Sequence, residues 1–203
     1  APVNLRILHT VLALILGGLF WGIFELRGSG VFNIQQNFTS NNALNLSSST
    51  LTLLNPAFVI PAAVIAAIAW YFIRIPSFVK VALALIMSAI GYGLLLQVSA
   101  QPMAGDIYFF VLSALFLAIA EILFAPIALS IIAQYTKPKY LAIIFSVSIA
   151  IFQIGSFLVG LVNRYFNFDS ITIFSFSAIV MALIGLGVGV YALLTNGKTS
   201  LKV

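Results

Sequence analysis

The sequence predicts an all-α, polytopic membrane protein with six transmembrane helices, and three observations carry that reading. Of its 203 residues, 63% are hydrophobic and only 6% are charged, and the mean hydropathy is +1.19. A soluble domain carries about a quarter of its residues as charged groups, so a water-soluble fold is excluded. Disorder, which needs few apolar and many charged residues, is excluded as well. The second observation is a set of six apolar runs, each close to or above the roughly 20 residues that a helix needs to cross the hydrocarbon. The third is that none of these runs alternates apolar with polar residues, as the strands of a transmembrane barrel must. Lipid offers no partner to a backbone N–H or C=O, so such runs must be helices.

In chain order the runs cover 5–24, 56–73, 79–98, 107–132, 140–162 and 171–194. The helices are expected at approximately 5–28, 55–73, 79–99, 107–134, 140–163 and 171–194, as one six-helix bundle over residues 1–203. The first run is too long for a cleaved signal, and no small-residue cleavage site follows Phe24-Glu25-Leu26-Arg27. After it, residues 31–38 suit a polar extension of the helix beyond the bilayer, and a flexible external loop is expected at approximately 39–50, where Asn, Ser and Thr dominate. The second run opens on Asn55-Pro56 and contains Pro61; the fourth contains Glu121 and, five residues later, Pro126. Links at 74–80, 134–139 and 165–169 are short enough to demand antiparallel neighbours.

Basic residues orient the bundle. If six helices alternate, Arg6, Arg74, Lys80, Lys137, Lys139, Lys198 and Lys202 fall on one side, and Arg27 and Arg164 on the other. By the positive-inside rule both termini are expected in the cytoplasm, and the chain is expected in the cell (inner) membrane. The net charge of +5 comes from scattered residues rather than a basic patch, which argues against nucleic acid as a partner.

Polar residues at depth are few. Glu121 lies about 20 Å into a helix starting near Tyr108, close to the bilayer midplane. A carboxylate there costs on the order of 3 kcal/mol, so it must face the bundle interior and be protonated or paired. No Lys or Arg stands at a matching depth in the sequence. The expected partner is therefore a substrate cation, a residue of another chain or segment, or a proton. Pro126 frees the carbonyl of Ile122 beside this acid, and with Pro56 and Pro61 it supplies candidate kinks for gating. Gly17, Gly18, Gly91, Gly93, Gly155, Gly160, Gly185, Gly187 and Gly189 are expected to admit close helix packing.

Catalytic chemistry finds little support. There is no cysteine, and the single histidine, His9, lies 20 residues from Ser29, about 30 Å along one helix. A serine nucleophile and its base are thus out of reach. Asp106 and Asp169 fall in loops, and neither a phosphate-binding loop nor a metal-ligand cluster is present in the sequence. No enzyme, cofactor or metal is expected.

Several local patterns together resemble the carboxy-terminal half of the proton-dependent oligopeptide transporters, a family with the major facilitator fold. Phe20-Trp21-Gly-Ile-Phe-Glu25, followed by Gly28-Ser29, is similar to the pattern of the family's seventh helix. Leu54-Asn55-Pro56-Ala-Phe58, closing on Trp70, resembles the eighth, and Pro76-Ser-Phe-Val-Lys80 the next turn. Glu121-Ile-Leu-Phe-Ala-Pro126-Ile-Ala-Leu129-Ser130, followed by Lys137-Pro138, looks like the tenth helix with its glutamate. The departures are Leu26 for Gln, Gly30 for Ser, Ala125 for Ser and Ala128 for Gly, and no tryptophan stands at 146–149.

The resemblance implies one half of a 12-helix transporter, with an amino-terminal six-helix half as partner, in a separate chain or a missing segment. It implies proton-coupled uptake of small peptides or related solutes. Glu121 would hold a cation of the other half or the peptide's ammonium, and Asn55 would contact the peptide backbone. The alternatives are a non-transporting six-helix subunit or scaffold, and a channel-like oligomer with a ring of Glu121 side chains.

Overall fold

Residues 3–40, 48–73, 75–99 and 101–196 are described by the structure, a computed structural model. Among the described residues seven α-helices follow in order: α1 (Val3–Ser40), α2 (Ser48–Thr52), α3 (Leu54–Phe72), α4 (Ser77–Leu95), α5 (Ile107–Tyr135), α6 (Leu141–Phe166) and α7 (Ser170–Asn196). Single 3-10 turns at Ala104–Asp106 and Pro138–Tyr140 lead into α5 and α6, and no strand occurs among the described residues. Six of the helices are long and apolar enough to cross a bilayer, with α2 running into α3. The chain is an integral membrane protein.

The ends of these helices follow from local chemistry. At 38 residues α1 is about 57 Å long, nearly twice the hydrocarbon thickness, so the polar residues after Gly28 do prolong it beyond the bilayer. Thr39 and Ser40 are its last residues, and Ser48–Thr52 are helical again; residues 41–47 of the expected external loop lie outside the described residues. Ile73 leaves α3 in an extended conformation, three residues before Pro76. The turn before α5 is tied by Asp106, whose carboxylate accepts the Met103 N–H and the Ser99 hydroxyl, both at 3.0 Å. Asn167 ends α6 in the left-handed conformation (φ 46°, ψ 50°), a role that asparagine fills at low cost.

Two compact units divide the chain: Ala1–Gly28 with Ala125–Phe168, and Ser29–Phe124 with Asp169–Val203. In the first, α1 and α6 cross at van der Waals limits. A Cβ on Gly155 would meet the carbonyl of Gly18, and one on Gly17 would meet the ring of Phe152. Small residues let the two backbones approach, and Ser156 Oγ uses that proximity to donate a 3.2 Å hydrogen bond to the Trp21 carbonyl. The His9 and Tyr135 rings pack with centroids 4.5 Å apart.

In the second unit α4 lies antiparallel to α7. Phe78 meets Tyr191 with ring centroids 5.6 Å apart, while the Leu85 side chain comes to Gly185. Gly91 makes room for Leu117 of α5. The extension of α1 is fastened at several points. Asn33 Nδ2 donates to Ser170 Oγ at 3.5 Å, Thr52 Oγ1 donates to Gln35 Oε1 at 3.3 Å, and Phe38 packs edge-on against Phe110. By contrast α3 has no buried residue, and Ile60, Val64 and Ile68 are all more than half exposed. So large an apolar face would drive aggregation in water. A bilayer solvates it.

Candidate functional site

Glu121 is the middle residue of the 29-residue α5, with Ile107 and Tyr135 each fourteen positions away. At 1.5 Å per residue that is about 21 Å from either end, so a bilayer spanned symmetrically by α5 has the carboxylate near its midplane. The side chain is half-buried. No hydrogen bond or ion pair joins it to another described residue, Asn55 included. An acid at this depth is rare because of its insertion cost and tends to mark a substrate, ion or proton pathway.

The other residues expected around it are spread along two helices. Asn55 is half-buried and stands in the first turn of α3. Pro56 follows in the same turn, where its missing N–H interrupts no bond within α3. Pro61 and Pro126 are interior to α3 and α5. Both are exposed, and each removes one backbone bond from a helix that continues past it. In α5 the carbonyl released is that of Ile122, next to Glu121. The structure thus keeps Glu121 and Pro126 on one continuous helix and puts Asn55 at the end of another.

A polar cleft that composition does not reveal lies within the first unit. Glu25 of α1 faces Gln153, Ser156, Gly160 and Arg164 of α6 around a cavity of about 410 Å³. Glu25 and Arg164 are both exposed. A carboxylate, an amide, a hydroxyl and a guanidinium here line one cleft, an arrangement able to hold groups of either charge. The signal was present in the spacing: 153, 156, 160 and 164 recur at three and four residues and form one stripe down a helix. Arg27 is directed elsewhere, with its guanidinium 4.1 Å from the centroid of the Phe24 ring.

No family model matches the chain, and no curated protein matches it.

Proposed function

We propose that the chain is one half of a secondary active transporter that takes up small peptides or related solutes with protons, by alternating access with an amino-terminal six-helix half. The observation that carries this reading is Glu121, an acid at the centre of a membrane-spanning helix, half-buried and without an ion pair or hydrogen bond among the described residues. A pathway between two bundles gives such an acid its counter-charge, from a cation of the other half, from a substrate ammonium or from a proton. The interior prolines of α3 and α5 each leave one helical backbone bond unmade, a weak point at which a gating helix can bend. Asn55 is a polar contact for the peptide backbone. The chain acts as a carrier in the cell (inner) membrane with its termini in the cytoplasm, and performs no covalent chemistry.

The test is uptake by the complete transporter carrying Glu121→Gln. This variant keeps shape and hydrogen-bonding capacity, and removing the charge makes insertion easier. The assembly should persist while uptake of peptides with a free amino terminus collapses and uptake of amino-blocked peptides changes less. Asn55→Ala should give a milder loss. Undiminished uptake of free peptides by Glu121→Gln would leave the acid a structural residue.

A further inference from the structure

The second unit contains an apolar groove of about 400 Å³ between α3 and α5, whose lining includes Ile122 but not Glu121. Its walls include Phe58, Ala62 and Ala66 of α3, and Leu115, Ile119 and Ile122 of α5. Alanines at 62, 66 and 69 recur on one face of α3, and their small side chains leave open the space that leucines would fill. From Phe58 to Ile73 the groove follows roughly 22 Å of helix, more than the roughly 15 Å of hydrocarbon in one leaflet.

One end of the groove is chemically different from the rest. Trp70, in the last turn of α3, lines it there, and its indole Nε1 is buried with no hydrogen-bond partner. Lys80, in the first turn of α4, places Nζ 4.1 Å from the centroid of the same ring. No acidic residue pairs with Lys80 among the described residues. The end of an entirely apolar slot is thus marked by an indole and an ammonium. Both residues stand at helix ends, where a membrane-spanning helix meets the headgroup layer.

We infer that this groove holds one acyl chain of an anionic phospholipid, whose phosphate pairs with Lys80 Nζ beside the Trp70 ring. The apolar walls take the tail and the length suits one leaflet. The Lys80 ammonium favours a headgroup with net negative charge over a zwitterionic one. No residue of α3 is fully buried, which keeps the slot open to lipid.

The test uses membranes containing the assembled protein, supplied with phosphatidylglycerol or phosphatidylcholine carrying the same photoactivatable acyl chain. Adducts are mapped by peptide mass after irradiation. Phosphatidylglycerol should label residues 62–69 of α3 and 115–122 of α5 about fivefold more than phosphatidylcholine, the selectivity that one lysine confers near a membrane surface. Lys80→Gln should bring the two lipids to parity and Lys80→Arg should retain the preference, which separates a headgroup effect from a folding defect. Ala66→Phe, which fills the slot, should abolish labelling there by both lipids. Glycerol phosphate without a tail should not compete. Equal labelling by both lipids in the unaltered chain would overturn the assignment, as would labelling spread evenly over every exposed apolar face. Competition by glycerol phosphate alone, or a groove that neither lipid labels because protein covers it, would overturn it too.

Discussion

Ser156 on α6 donates its hydroxyl to the backbone carbonyl of Trp21 on α1 at 3.2 Å, a bond that exists only because its neighbour Gly155 has no side chain. The carbonyl of Gly18 occupies the place a Cβ would take. Between membrane helices no hydrophobic force drives association, so such contacts and the close approach they need supply the adhesion.

Gly155→Ala should therefore destabilise the chain by about 1–3 kcal/mol, the usual range for an overpacked contact. Thermal unfolding in detergent measures it. Gly160→Ala, one and a half turns later on the same helix, meets nothing within 4 Å. That change should leave stability unaltered or raise it by up to about 1 kcal/mol through helix propensity. A matching loss at both positions would mean that α6 tolerates no added methyl anywhere and that the crossing with α1 is not the reason.

A second contact fastens the extension of α1. Thr52 Oγ1 donates to Gln35 Oε1 at 3.3 Å, and Gln35 is 6% exposed, so its amide depends on protein partners. Gln35→Ala should loosen α2 by about 1 kcal/mol, the typical net value of one hydrogen bond. Amide exchange at residues 48–52 should quicken about fivefold, while exchange in α7 stays as it was.

The six spans were legible because lipid admits only helices, and apart from the far end of α1 the apolar runs ended within a few residues of the observed helices. The expected span 107–134 is α5 at Ile107–Tyr135, and 171–194 is α7 at Ser170–Asn196. The extension of α1 was legible too, from polar residues that do not break a helix. What the sequence withheld was rotation. A helix apolar on all sides carries no stripe to say which face meets protein and which meets lipid, so α3 could not be recognised as the bare helix beside a groove. The α2 turn is too short to show periodicity. Glu121 announced itself by depth alone, whereas Glu25 and Arg164 looked like ordinary residues at helix ends. Only the pairing of α1 with α6 brings them to one cleft.

Sidedness can be read with single cysteines, since the chain has none of its own. Thr50 and Lys139 are both exposed. Thr136 serves less well, because its hydroxyl oxygen is buried. In intact cells Thr50→Cys should react with an impermeant thiol reagent and Lys139→Cys should react only after the membrane is opened. The basis is the seven-to-two distribution of Lys and Arg, which places 137–139 on the cytoplasmic side. The reverse labelling would invert the bundle.

Pro126 sets stability against turnover. Alanine there restores an N–H to α5 and gives the Ile122 carbonyl its helical partner, which is worth up to about 3 kcal/mol in a soluble helix and less in a membrane, where neighbouring groups already compensate. Pro126→Ala should thus raise the unfolding temperature. If the missing backbone bond lets α5 change shape as the pathway opens and closes, restoring it should also slow that step. In the complete transporter the maximal uptake rate should fall severalfold while the half-saturating substrate concentration changes little, because binding at Glu121 is retained and only the conformational step is impeded. The two measurements should move in opposite directions. A variant that is stabilised and transports at the original rate would make Pro126 a passive gap in the helix ladder, and one that loses both would make it a packing residue.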